Sequence, residues 1–171
     1  MSRACEPTTH EDGLTPDAGA PVDPRRSALM RKVRGKNSMP ERLVRSALHR
    51  EGFRFRIHDR TLPGCPDIVF PARRGVVFVH GCFWHRHEGC RATSVPNTRR
   101  EFWEAKFARN VERDVRDRDR LERAGWAIHI VWECETKKGG TYLPALRRFL
   151  AEHPPVCGRR SDRQRKPSPI R

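Results

Sequence analysis

His80-Gly81-Cys82-Phe83-Trp84-His85-Arg86-His87-Glu88-Gly89-Cys90 is the stretch whose reading decides the fold. It sets two cysteines, three histidines and the adjacent aromatics Phe83 and Trp84 directly after the apolar run Val76-Val77-Phe78-Val79. A further thiol, Cys134, follows a second β-rich run, Trp126-Ala127-Ile128-His129-Ile130-Val131-Trp132. Cys82, Cys90 and Cys134 with one imidazole form the soft donor set that tetrahedral Zn²⁺ prefers in a closed structural site. Because Cys134 comes from a separate strand, the ion would pin the loop across the sheet. The i,i+2 spacing leaves open whether His85 or His87 is the fourth ligand, and the other is then free for chemistry. Buried free cysteines are the competing explanation, and the polar loop around these thiols argues against it.

Upstream, Asp67-Ile68-Val69-Phe70 and Val76-Val77-Phe78-Val79-His80, separated by a turn from Pro71 to Gly75, read as neighbouring strands of a central sheet. An acid heading one strand with a second strand close behind is how restriction-like nucleases hold Mg²⁺, a hard ion that takes oxygen ligands. Asp after Pro is also common in turns, and the acid and lysine usual on the second strand are missing. Phe53-Arg54-Phe55-Arg56-Ile57 alternates strictly, which predicts a strand with an apolar and an arginine face. Ser38-Met39-Pro40-Glu41 is a capping box that starts a helix, with Leu43, Val44, Ala47 and Leu48 as its buried stripe and Gly52 as its stop. Downstream, Phe102, Trp103, Phe107, Val111, Val115 and Leu121 recur at helical spacing up to Gly125. Glu112 with Arg116 and Asp114 with Arg118 are i,i+4 pairs of a solvated face. A short helix from Leu143 to Glu152 closes the domain.

The chain of 171 residues divides into a flexible arm (1–26), a zinc-stabilised domain (27–152) and a disordered basic tail (153–171). Cys5, His10 and Cys157 are incidental in this reading. Net charge is +15, which attracts polyanions. Within the basic segment from Arg25, the residues Arg31, Lys32, Arg34 and Lys36 are expected to order on a phosphate backbone. The chain has no apolar run of about 18 residues and no apolar signal core. A soluble cytoplasmic protein at the nucleoid, without a membrane partner, is therefore expected. In such a compartment the cysteines do not form a disulfide framework.

Leu62-Pro63-Gly64-Cys65-Pro66-Asp67, His80 to His87, Val95-Pro96-Asn97-Thr98-Arg99, Phe102-Trp103, Asn110-Val111-Glu112-Arg113-Asp114 and Val131-Trp132-Glu133-Cys134 together resemble the very short patch repair endonucleases. The match runs in order from about Lys36 to Glu135 and covers the whole proposed core. The resemblance implies an α/β fold with a restriction-endonuclease-like core, in which a central mixed β-sheet is flanked by helices and a structural zinc site is present. It implies a nick in one strand of double-stranded DNA beside the thymine of a T·G mismatch, left when 5-methylcytosine deaminates. Asp67 matches the Mg²⁺-binding aspartate, with the backbone carbonyl of Val79 as a further ligand. His85 matches the catalytic histidine, and His87 the zinc ligand alongside Cys82, Cys90 and Cys134. Glu41 matches an acid that bears on the active site, and Asp114 is placed to orient His85. The Mg²⁺ would polarise the scissile phosphate while a water attacks in line, with His85 as general base or acid.

The resemblance also implies that Phe83, Trp84 and Trp103 wedge into the mispair. Periodicity alone places Trp103 equally well in the core, whereas Phe83 and Trp84 are adjacent on a pinned loop and do not both enter one core. Glu88-Gly89 makes the loop before Cys90 one residue longer than the family pattern. A monomer is expected, with mismatch-repair proteins as candidate partners. Two other functions would use the same charge and zinc: a DNA-binding module without catalysis, which has no need of Asp67, Glu41 and His85 together, and a restriction-type nuclease of different substrate choice.

Overall fold

The computed structural model describes residues 37–137 and 139–156. Helix α1, Met39–Arg50, starts at the capping box: Ser38 Oγ accepts from the Glu41 N–H at 3.4 Å, and the Glu41 carboxylate accepts from the Ser38 N–H at 3.1 Å. Gly52, at φ +79, provides the left-handed residue that ends it. Val44, Ala47 and Leu48 are buried as their spacing predicts, but Leu43 is 43% exposed. Glu41 takes its place on the inner face, three and seven residues before Val44 and Leu48, and is only 4% exposed. An acid at the head of an apolar stripe is invisible to periodicity, because hydrophobic patterning counts it as solvent-facing.

The strand predicted over Phe53–Ile57 forms a ladder only at β1, Arg56–Ile57. Its alternation is correct at the start: Phe53 and Phe55 turn inward to Phe70, with ring centroids 6.2 and 5.9 Å away. Ile57 departs from it and is 48% exposed. The ladder is short because β1 is an edge strand, and its partner β2, Ile68–Phe70, is itself only three residues long. β2 runs antiparallel to β3, Gly75–His80, and β3 runs parallel to β4, Ala127–Trp132. The long helix α2, Arg100–Arg123, makes the crossover between these last two. The result is a four-stranded mixed sheet in the order β1-β2-β3-β4.

Period-two alternation splits the strand side chains between two cores. Ile68, Phe70, Val77 and Val131 meet Val44 and Leu48 of α1 and Leu146, Phe149 and Leu150 of the last helix, Leu143–Glu152. Val69 and Val76, on the other face, meet Leu121 of α2. Each such side chain contributes ~1.5–3 kcal/mol when fully buried. Along α2 the expected apolar stripe is corrected, since Val111 and Val115 are 39% and 55% exposed. They lie one residue, or about 100°, from the inward face. That face carries Trp103, Phe107, Asn110, Asp114, Asp117 and Leu121, so Asp114 is turned inward and is not part of the solvated face assigned to it.

β4 runs directly into a short helix, α3, Glu133–Lys137, which the sequence does not signal and which carries Cys134. The closing helix, α4, has the predicted bounds. The start of the stretch read as a tail is tied to the domain, because Arg73 Nη1 donates to the His153 carbonyl at 2.9 Å and the Val156 N–H to the Ala72 carbonyl at 2.6 Å. Arg31, Lys32, Arg34 and Lys36, the arm before them, and Cys157 lie outside the described residues. Among the described residues no helix is long and apolar enough to cross a membrane.

Candidate active site and metal centre

From Gly81 to Cys90 the chain winds through successive tight turns. The N–H groups of Trp84 and His85 both donate to the Gly81 carbonyl, and that of His87 donates to Cys82, each at 3.1 Å. Arg86, at φ +54, reverses the chain between the two histidines, so they diverge instead of sharing a side. His87 Nδ1 comes to 3.6 Å from Cys82 Sγ and 3.4 Å from Cys134 Sγ. With Cys90 these donors all lie within 4.8 Å of one another. Tetrahedral bonds of about 2.3 Å to sulfur and about 2.1 Å to nitrogen would set S and N about 3.5 Å apart, so the cluster fits a zinc-sized cation. Burial pushes the Cys82 thiol up to about 12, and the Cys134 and Cys90 thiols add to this. A bound cation would reverse that penalty by deprotonating the ligands. The His87 ring is fixed by stacking on Trp132 at 4.1 Å. Cys90 and Cys134 are only half-buried, unlike core thiols. Gly89, at φ +68 and exposed, turns the chain just before Cys90, and the four donors converge.

His85 faces the other way. Its Nδ1 lies 2.5 Å from Asp114 Oδ2, and its ring stacks on His80 at 3.8 Å with a 12° tilt. A carboxylate accepts, so Nδ1 carries a proton, and in the neutral imidazole the lone pair is on Nε2. His80 ends β3 and is 8% exposed; burial, with the adjacent His85 assisting, lowers its pKa to about 3, so it is neutral. The ligand atoms of His80, His85 and Asp114 are close enough for an ion. Nevertheless, two stacked imidazoles direct their in-plane lone pairs in parallel, and an ion needs them to converge. The arrangement suits moving a proton. His85, Arg86, Asp114, Val115 and Arg118 line an open cleft with Trp132.

Asp67 forms a third cluster with Glu41 and His58, again with ligand atoms within 4.8 Å. Its Oδ2 accepts from the Val79 N–H at 2.7 Å. Burial, followed by the nearby Glu41 carboxylate, pushes Asp67 up to about 7, against the Val79 hydrogen bond. Glu41 Oε1 accepts from Ser38 N and Oγ, and Oε2 from Asn37 N and Arg45 Nη2. Since Val79 and His80 are consecutive, the end of β3 joins this cluster to the His85 pair. His80, His58 and Arg45 are the residues the sequence reading left without a role. Only His80 carries a signal, as a polar residue that closes an apolar strand just before Cys82.

Phe83, Trp84 and Trp103 are half-buried and pack on one another: Phe83 lies 5.0 Å from Trp84 and 5.6 Å from Trp103, and Trp84 lies 6.1 Å from Trp103. Phe107 underlies them, stacked on Trp103 at 5.9 Å. Asn110 Nδ2 donates to the Trp84 carbonyl at 3.1 Å and holds the loop against α2. Lys106 sits 5.6 Å from the Trp84 ring and Arg86 4.5 Å from Phe107, so cations flank the aromatic patch.

A family model described as DNA mismatch endonuclease Vsr matches residues 22–91. The type II nicking enzyme V.XorIIP of Xanthomonas oryzae pv. oryzae is 50% identical over 126 residues, covering 74% of this chain and 92% of that protein. The type II nicking enzyme V.NmeAIP of Neisseria meningitidis is 40% identical over 128 residues, 75% of this chain and 91% of that protein. DNA mismatch endonuclease Vsr of Escherichia coli K12 is 48% identical over 109 residues, 64% and 69% of the two chains. With its mixed sheet flanked by helices and its Cys/His cluster, the chain belongs to the Vsr family of DNA mismatch endonucleases.

Proposed function

We propose that the protein nicks one strand of duplex DNA beside the thymine of a T·G mismatch, with Mg²⁺ as the catalytic ion and Zn²⁺ as the structural one. The observation that carries this reading is the His85–Asp114 pair at 2.5 Å, stacked on His80, which follows directly on β3 the Val79 whose N–H holds Asp67. A non-catalytic DNA-binding module has no use for that convergence. Asp67, with the Val79 carbonyl, would hold a divalent ion, which supplies a Lewis acid that neutralises charge at the scissile phosphate. His85 accepts the proton of the attacking water at Nε2, and Asp114 keeps the tautomer and stabilises the imidazolium that results. His80 offers a flat, uncharged face and does not compete for that proton. Cys82, His87, Cys90 and Cys134 clamp the loop that presents His85 on one side and the aromatics on the other. Phe83, Trp84 and Trp103 wedge into the mispair, where unstacking costs least. Arg31, Lys32, Arg34 and Lys36 hold the phosphate backbone. The protein meets this DNA as a monomer in the cytoplasm, at the nucleoid, where mismatch-repair proteins are candidate partners.

The test compares nicking of a T·G duplex and its matched counterpart, with and without Mg²⁺. Asp67→Ala and His85→Ala should abolish nicking and keep mismatch binding; full cleavage by either variant overturns the assignment.

A further inference from the structure

His58 and Arg45 lie beside the Asp67 carboxylate and have no part in the chemistry above. His58 follows β1 directly, where its backbone N–H donates to the Asp67 carbonyl at 3.4 Å and its left-handed φ of +49 turns the chain. Its side chain is 16% exposed. On one side of the ring, Nε2 lies 3.0 Å from Arg45 Nη2, within hydrogen-bond reach, and 3.6 Å from Glu41 Oε2, beyond it; on the other, Nδ1 lies 3.9 Å from Asp67 Oδ1. Arg45 is itself fixed, because Nη1 donates to Asn37 Oδ1 at 2.7 Å and Nη2 to Glu41 Oε2 at 2.5 Å.

A guanidinium has donors and no acceptor. The imidazole nitrogen facing it must therefore accept, which leaves the His58 proton on Nδ1, directed at Asp67 Oδ1. The other Asp67 oxygen is held by the Val79 N–H at 2.7 Å, so each carboxylate oxygen faces its own N–H, the His58 one across a gap longer than a hydrogen bond. From this geometry we infer that His58 is a positioning residue for the ion-binding carboxylate, with Arg45 fixing its tautomer. The inference rests on the reading of Asp67 as the divalent-ion ligand. Partners of this kind orient a ligand without touching the ion, and their loss typically costs about 10–100-fold in metal affinity.

Mn²⁺ binding to the full-length, zinc-containing protein, freed of other divalent ions by dialysis, reads this without catalysis. His58→Ala should weaken Mn²⁺ binding by about 10–100-fold. His58→Gln, whose amide both accepts and donates, should stay close to wild type. Equal affinity in His58→Ala and wild type overturns the inference, as does a glutamine variant as weak as the alanine one. Should His58→Ala fail to fold, ¹⁵N shifts of the wild-type histidines decide: an Nδ1–H tautomer at His58 supports the inference and an Nε2–H tautomer overturns it. Asp67→Asn separates the two levels. Loss of Mn²⁺ binding there with none in His58→Ala defeats this inference alone, while retained binding defeats the reading of Asp67 as well.

Discussion

Replacing Asp67 by Asn should make the ion-free protein more stable, and more so as pH rises. The carboxyl has an ordinary value of 3.8 and is pushed up to about 7 in the fold. Between those values the folded chain holds a proton that the unfolded chain has released, so stability falls as pH rises through this window and the full cost is present above it. About three pKa units correspond to an upper limit of ~4 kcal/mol at pH 8.5, and about half of that at pH 5.5. Asn keeps an oxygen for the Val79 N–H and carries no charge, so the variant avoids the cost. Urea denaturation of wild type and Asp67→Asn, followed by tryptophan fluorescence at the two pH values, measures the difference, and other titrating groups cancel between the two proteins. The buffers must be free of Mg²⁺ but must also lack chelator, which would attack the cysteine cluster. Added Mg²⁺ should then stabilise wild type alone by mass action. A stability gain of the same size at both pH values, or a variant less stable than wild type at pH 8.5, would refute the reasoning.

Cys134→Ala should lose zinc, read by elemental analysis, and melt at a markedly lower temperature, because the binding energy of such a site is also folding energy; stoichiometric zinc in the variant would contradict the clamp. Asp114→Asn should preserve mismatch binding while nicking falls by up to about 10⁴, as when the acid that orients a catalytic histidine becomes an amide. Trp84→Ala should reduce the preference for mismatched over matched duplex more than it reduces nonspecific affinity, and equal losses would point to a purely structural role. Gly64→Ala should destabilise the protein by more than ~1 kcal/mol, since φ there is +69 and the new Cβ would sit 3.2 Å from Asp117 Cβ and 3.3 Å from Phe78; an unchanged urea midpoint would contradict it.

Elements with a local cause were legible from the sequence. The Ser38 capping box, the left-handed Gly52 and the apolar periodicity of Leu143–Glu152 each act over a few residues, and each appears where predicted. The cysteine cluster was legible for another reason, since thiols outside a core have few other uses. Asp114 drew two readings, a partner of His85 from the family resemblance and a solvated residue from periodicity, because a helix face shows which residues are polar, but not whether water or a histidine 29 positions earlier is the partner. Leu43 and Ile57 failed similarly: burial depends on what packs opposite, and nothing in the strand's own sequence fixes the length of its neighbour. His58 and Arg45 carried no spacing signal at all, as their meeting depends on how β1 lies across the start of α1.

Helix α2 puts the aromatic Trp103, the loop anchor Asn110, the histidine partner Asp114 and the core residue Leu121 on one face. Adding or deleting a single residue between Trp103 and Leu121 would rotate one set against the others by about 100°. Most substitutions on its exposed side should be harmless, yet a change of length should silence the enzyme at once. The segment is therefore permissive in composition and rigid in phase, so new substrate preferences should arise in the surrounding loops and not by resizing this helix.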